Sequence, residues 1–184
     1  MVQGARALLA AGEPLTVEAA AEAAEVSRTT AYRYFPTRES LLVELQLHAE
    51  MPELAAIVEQ SGGDPVDRVD ALTETFLRFL TEHETLMREG LRLSLETPPR
   101  PTPWRQGRRV RWIGDALGDA LDPLPAGRRR RAIAAISATS GIEALVMLVD
   151  ICGLSREEAA RTARWAARAL AERALADAAD ARRL

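Results

Sequence analysis

The residues of this chain with the clearest capacity for chemistry are the arginines, threonines and tyrosines concentrated between Ser27 and Arg38. This run contains three arginines and no acidic residue, although the 184-residue chain has a net charge of −3. Arginine forms paired hydrogen bonds with guanine edges and phosphates, and hydroxyl groups bond to the same targets. Because a local basic patch rather than the total charge attracts DNA, these residue types predict DNA recognition.

A helix from Arg28 to Phe35 is needed to present these side chains together. Ala31 and Phe35 are four residues apart, so we expect both to point inward with Val26. The opposite face then carries Arg28, Thr29, Tyr32 and Arg33. The alternative is an ordinary helical hairpin with a solvated basic face. The agreement among the caps, the turn and the two faces favours a helix that reads DNA.

Local sequence signals predict where the reading helix and the helix before it begin. Thr16 can cap a preceding helix, because its hydroxyl accepts a backbone N–H that would otherwise be unpaired, and Ser27 can cap the reading helix in the same way. Glu25 and Val26 form the turn between the two. The preceding helix, this turn and the reading helix together predict a helix-turn-helix motif.

A proline separates the reading helix from the helix that follows it. Pro36 lacks an N–H and disfavours helical geometry in the preceding residue, so the reading helix ends there. Thr37 can cap a third helix that runs to about Glu50 and carries Arg38 in its first turn. A helix N-terminus with an arginine suits a phosphate, so Arg38 is a candidate DNA contact.

The segment TVEAAAEAA followed by VSRTTAYRYFPTRESLL resembles the DNA-binding signature of the tetracycline-repressor (TetR) family of bacterial transcription regulators. As a composite over about thirty residues, it is far more specific than a bare helix-turn-helix pattern. The resemblance implies that Phe35 is buried. It implies contacts with base edges from Arg28, Thr29 and Arg33. It implies contacts with the sugar-phosphate backbone from Thr30, Tyr32, Tyr34 and Arg38.

The sequence departs from the family pattern in three places. Glu25 occupies a turn position where the family usually has Gly, and a left-handed conformation costs a non-Gly residue about 1 kcal/mol or more. Arg38 replaces the commoner Lys, which exchanges a point charge for a planar fork. The lead-in before the helix at 2–11 is shorter than in most family members, which implies a missing arm or a short start.

The rest of the chain is predicted to be helical as well. No segment alternates as a strand does, and 47% of the residues are hydrophobic, enough for a substantial core. We therefore predict an all-α protein with a helix-turn-helix domain at 1–45 and a ligand-binding and dimerisation bundle at 46–184. Helices are expected at 66–83, 86–96, 104–121, 132–151 and 155–179. Connections rich in proline or glycine are expected at 51–52, 60–65, 97–103 and 122–125.

The last two helices predict a homodimer. The helix at 132–151 is apolar nearly all round, and Ser155 with Glu158 forms a capping box that opens a long alanine-rich helix. A chain this short has too few other helices to cover both, so a second copy is the simplest cover, with Ala163 and Ala167 facing it. The resemblance implies the same, because family members generally dimerise through their last two helices. The alternative is a monomer with an alanine-rich tail.

The resemblance also implies a small-molecule effector bound among the middle helices. The candidate lining is Phe76, Phe79, Met87, Leu91, Trp112 and Met147. Singly, each of these residues is also compatible with an ordinary core position. Arg88 and Arg92, one turn apart, could meet an anionic ligand, although such pairs are usually solvated.

Other classes of protein have little support in the sequence. His48 and His83 are the only histidines and have no metal-ligand spacing, and no phosphate loop or nucleophile motif occurs, so we expect no enzyme, metal or cofactor. The single cysteine, Cys152, permits no intrachain disulfide. With no signal peptide or membrane span, a cytoplasmic protein is expected. The prediction is a ligand-responsive transcriptional repressor; the alternatives are a helical adaptor, a DNA-binding protein without a ligand, or a small all-α enzyme.

Overall fold

The structure is a computed structural model that describes residues 1–47, 57, 63–96 and 108–183. These residues form helices and no strand, so the all-α prediction is confirmed. The chain divides into two compact units. The first unit comprises Met1–Met51 and His83–Pro99, and the second comprises Pro52–Glu82 and Arg100–Leu184.

The first unit contains five described helices. They are α1 (Val2–Ala10), α2 (Val17–Ala23), α3 (Arg28–Tyr34), α4 (Arg38–Leu47) and α6 (Glu84–Glu96). The predicted caps are present: the Thr16 hydroxyl accepts the Ala19 N–H at 3.0 Å, and the Ser27 hydroxyl accepts the Thr30 N–H at 3.2 Å. Thr37 caps α4 in the same way, through the Ser40 N–H at 3.2 Å.

A close crossing of α1 and α2 builds the core of this unit. A β carbon on Gly4 would lie 2.9 Å from the Ala20 carbonyl oxygen, so only glycine permits this approach. Leu41, Leu42 and Leu45 on α4 are fully buried beneath these helices. Phe35 is half-buried rather than buried, and packs against Val17, Ala21 and Ala31.

Helix α6 packs against α4 and α1 by a face that the sequence did not predict. Leu86, Gly90 and Leu93 are buried at helical spacing, whereas Leu95 is 78% exposed. Leu91 and Leu95, which are four residues apart, therefore do not form the buried face of α6. Leu95 is two residues beyond Leu93, about 200° further round the helix, and so points away from the buried face.

The second unit contains the remaining described helices. They are α5 (Pro65–Glu82), α7 (Arg108–Leu117), α8 (Ala126–Ala138), α9 (Ile142–Val146) and α10 (Arg156–Ala181), with a 3₁₀ turn at Gly118–Leu121 and a π turn at Met147–Ile151. The predicted capping box at Ser155 and Glu158 opens α10. The helix predicted at 132–151 is two helices, because the chain leaves helical geometry at Gly141 (φ −97°, ψ 171°). Thr139 assists the break by donating its hydroxyl to the Ile136 carbonyl at 2.8 Å.

Buried alanines along α10 fix how it packs. Ala159, Ala163, Ala167 and Ala171 are buried against the chain's own helices, chiefly α5 and α8. The expectation that Ala163 and Ala167 face a partner chain is therefore wrong. Small side chains here let α5 and α10 approach closely.

Ion pairs join α5 to α10 at this contact. Arg164 donates two hydrogen bonds to Asp70, from Nε at 2.9 Å and from a terminal nitrogen at 2.8 Å. Arg168 bonds to Asp67 at 2.9 Å and reaches Asp70 at 3.4 Å. The hydrogen bond from Arg164 holds the pKa of Asp70 below its ordinary value, against the effect of burial.

Several expectations concern residues outside those described: the break at 51–52, the first half of the loop at 60–65, the connection at 97–103, the helix start at 104 and His48. Among the described helices, none is by itself long and apolar enough to cross a membrane, and α8 with the segment to Ile151 passes that test only as a pair bent by 50°.

Candidate nucleic-acid interface

Helix α3 presents most of the predicted DNA contacts on one exposed surface. Ala31 is fully buried and anchors the helix from below. The exposed residues are Arg28, Thr29, Tyr32, Arg33 and Tyr34. Thr30 is half-buried, and its hydroxyl accepts a hydrogen bond from the Ser27 hydroxyl at 2.9 Å. The α3 residues thus divide between the two faces as the helical period requires.

The turn before α3 is strained in the way the sequence predicted. Glu25 is the one non-glycine residue with a positive φ among those described, at 53°. The Val26 N–H closes the turn by donating to the Ala21 carbonyl at 2.9 Å. A left-handed residue here lets the chain leave α2 and enter α3 within four residues.

Tyr32 is held by an acidic residue of α2. Its hydroxyl donates a hydrogen bond to the Glu18 carboxylate. This bond lowers the pKa of Glu18 and raises the pKa of Tyr32, because it stabilises the carboxylate and the protonated phenol. Tyr32 must exchange this acceptor if its hydroxyl is to bond to a phosphate.

Arg33 and Tyr34 contact each other on the exposed surface. The Arg33 guanidinium carbon lies 5.0 Å from the centre of the Tyr34 ring, which is within the range of a cation–π contact. Tyr34 is 66% exposed, so the pair is available to a ligand. Stacking on an aromatic face restricts the orientation of the guanidinium before any base is bound.

Arg38 is placed differently from the other candidates. Its guanidinium forms an ion pair with Glu89 of α6, and its side chain is 25% exposed. Burial lowers the pKa of the Arg38 guanidinium, and the positive charge of Arg92 lowers it further. Without DNA, the residue predicted to contact phosphate is thus bonded to a carboxylate of its own chain.

The structure distributes the predicted effector-binding residues over several places. Phe76 and Trp112 contact each other in the second unit, with ring centres 5.3 Å apart, and both are buried. Phe79 is buried in the same unit. Met87 and Leu91 belong to α6 in the first unit.

Met147, unlike the buried aromatic pair, is exposed. It is 50% exposed and lines a groove of about 360 Å³ together with Ala144, Ala163 and Ala166. Arg88 bonds to Glu84, and Arg92 bonds to Glu89 and Glu96, so carboxylates of α6 already pair both arginines proposed to meet an anionic ligand.

The sequence reasoning missed two acidic residues, Glu18 and Glu89. Glu18 lies in the first turn of α2, where an acid is favourable without any partner, so its position alone does not indicate a bond to Tyr32. Glu89 is 51 residues after Arg38, and no local pattern links the two. Among the described residues, no group of acidic, histidine or cysteine side chains could hold a metal ion.

Comparison with known families bears on this site. Residues 2–45 match the family model described as bacterial regulatory proteins, tetR family. The matched segment contains α1, α2, α3 and the first part of α4, which carry every predicted DNA contact. The resemblance drawn from the sequence is thereby confirmed. No match to the chain is found among curated proteins.

Proposed function

We propose that this chain, a DNA-binding transcriptional regulator of the tetR family, is a cytoplasmic repressor that binds a palindromic operator as a homodimer and leaves it when a small molecule binds. The observation that carries the proposal is the exposed surface of α3, where arginines, a threonine and tyrosines stand together without a carboxylate on the same helix. We propose a helix-turn-helix domain at 1–45, with effector binding and dimerisation in 46–184.

In this proposal α3 enters the major groove. Arg28, Thr29 and Arg33 reach base edges, where an arginine bonded to the O6 and N7 atoms of guanine is the commonest specific contact. Thr30, Tyr32, Tyr34 and Arg38 contact the sugar-phosphate backbone and fix the orientation of the domain. In a dimer, two α3 helices about 34 Å apart reach successive major grooves on one side of the duplex.

Exposed apolar residues on the last helices support the dimer. Met147 is 50% exposed, Ile151 70% and Trp165 72%. A second copy that covers the π turn at Met147–Ile151 and α10 would remove this apolar surface from water, which favours association.

The effector is proposed to bind beside Phe76 and Trp112. Two buried aromatic rings in tilted contact are a suitable wall for an apolar ligand. For regulation, the ligand must bind better to the state that does not bind DNA; a coupling of about 1–3 kcal/mol alters operator affinity 5- to 150-fold.

Selection of DNA duplexes from a random library by the purified protein tests the DNA-binding part. We expect an enriched palindrome, and we expect Arg33→Ala to weaken binding by about 1–3 kcal/mol and to relax preference at one base pair of each half-site. Arg78→Ala, an exposed arginine of α5, is the matched control and should bind as the unmodified protein does. Equal losses on the selected and on a scrambled duplex for Arg33→Ala would contradict its role in reading bases.

A thermal-shift screen of small molecules tests the effector part. Trp112→Leu should alter the response to any ligand that stabilises the unmodified protein, while operator affinity without ligand stays nearly the same. If this variant loses stability and operator binding together, Trp112 is only a core residue.

A further inference from the structure

Two arginines converge on one carboxylate in the first unit. The Arg38 guanidinium, at the start of α4, pairs with Oε1 of Glu89 on α6. Arg92, one turn further along α6, donates from Nε to Oε2 of Glu89 at 3.0 Å and from a terminal nitrogen to Oε1 at 2.9 Å. The Glu89 side chain is 15% exposed, so the carboxylate is largely shielded from water.

We propose that Glu89 is a residue that sets DNA affinity: it holds Arg38 in the DNA-free protein, and a DNA phosphate must displace it to gain the Arg38 contact. This inference rests on the proposed DNA-binding function. Helix α6 lies outside the matched helix-turn-helix segment, and the inference makes its residue Glu89 a direct competitor for a DNA contact.

Glu89 stays hydrogen-bonded during this exchange, so the free-energy cost of releasing Arg38 is small. When Arg38 leaves, Glu89 keeps both hydrogen bonds from Arg92, so no shielded carboxylate is left without a partner. Leaving an uncompensated shielded charge is the step that normally makes such pairs hard to break. Because Arg92 supplies the compensation, Arg38 can be released without disrupting α6.

Arg38 is itself incompletely satisfied in this arrangement. Its Nε atom is buried and has no hydrogen-bond acceptor. A phosphate offers several acceptor oxygens in a geometry that matches the guanidinium fork, so the exchange can satisfy Arg38 more fully than Glu89 does. The carboxylate thus lowers the gain from the phosphate contact without abolishing it.

The competition has no dependence on base sequence. A phosphate contact carries no sequence information, so Glu89 should reduce affinity for an operator and for a random duplex by the same factor. A partly exposed ion pair of this kind corresponds to about a two- to fivefold change in affinity.

The test is a double-mutant cycle on two duplexes. The first duplex is one selected from a random library by the unmodified protein, and the second is a scrambled duplex of equal length. Glu89→Gln should bind both duplexes about two- to fivefold more tightly. In an Arg38→Ala background, adding Glu89→Gln should change neither affinity. Glu84→Gln is the matched control, because Glu84 lies on α6 with 14% side-chain exposure and is also paired with an arginine.

Three results would overturn the proposal. The first is unchanged or weakened binding by a folded Glu89→Gln protein. The second is tightening that persists in the Arg38→Ala background, which would indicate a general effect of charge. The third is equal tightening by Glu84→Gln. If Glu89→Gln does not fold, Glu89→Asp, which keeps the charge and draws it one methylene away from Arg38, must tighten both duplexes. Failure of the unmodified protein to select any duplex would instead refute the proposed function.

Discussion

Replacing Trp165 by alanine should dissociate the proposed dimer. Trp165 lies on α10 and is 72% exposed in the isolated chain. A tryptophan exposed to this extent leaves on the order of 150 Å² of surface in water, and burying that area contributes roughly 3–4 kcal/mol at about 25 cal/mol per Å². A symmetric interface contains the residue twice, so roughly 7 kcal/mol is the upper value for the loss.

The expected loss is smaller than this upper value, because a partner does not cover every atom and the truncated interface can repack. A loss of about 3 kcal/mol, less than half of the upper value, still corresponds to more than about 100-fold in the dimer dissociation constant. Light scattering and sedimentation over a range of protein concentrations measure this constant directly. Leu95→Ala is the matched control, because Leu95 is 78% exposed but lies on α6 in the first unit.

Two results would refute the reasoning about Trp165. One is a monomeric unmodified protein at all concentrations. The other is a Trp165→Ala protein that dimerises as tightly as the unmodified chain, which would place the interface on another surface. If Leu95→Ala weakens the dimer as much as Trp165→Ala does, the loss is not specific to α10.

Three further variants test local features of the structure. Asp70→Asn should lower the free energy of unfolding by about 1–2 kcal/mol, between the values for exposed and buried ion pairs, and lower the Tm by roughly 2–8 °C. Because the folded-state pKa of Asp70 is depressed by Arg164, the difference should be full above pH about 4 and should vanish as the pH falls through that lower pKa, which chemical unfolding at several pH values checks. Glu25→Gly should raise the free energy of unfolding by about 1 kcal/mol, since glycine adopts the positive φ without strain; an unchanged midpoint in urea would show that Glu25 is not strained. Tyr32→Phe should weaken binding to selected and scrambled duplexes alike, because its predicted contact is with the backbone; loss confined to the selected duplex would instead assign Tyr32 to base reading.

Local signals in the sequence were sufficient to predict the DNA-binding unit. The caps at Thr16, Ser27 and Thr37 involve residues three apart, so their hydrogen bonds can be read from spacing alone. The left-handed turn at Glu25 follows from the need to reverse direction between two short helices. Such features depend on neighbours in sequence, and the structure retains them.

Features that depend on distant contacts were not predicted. The orientation of α10 is set by Ala163 and Ala167 fitting against helices of the same chain, and a stripe of small residues looks the same whichever chain covers it. The Arg109 guanidinium, from helix α7, lies against Gly141, where the chain leaves helical geometry. Periodicity alone reveals neither feature.

The two acidic residues that the sequence reasoning missed suggest a common principle for this DNA interface. Glu18 holds Tyr32, and Glu89 holds Arg38, so two predicted backbone contacts are already hydrogen-bonded before DNA arrives. On binding DNA, each side chain exchanges a bond to a carboxylate for a bond to a phosphate. Each contact therefore contributes only the difference in free energy between those two bonds. Both predicted contacts are with the backbone, so we expect this reduction to apply to every sequence. In this proposal the two carboxylates lower total affinity, and base discrimination comes from Arg33 and the other predicted base contacts of α3.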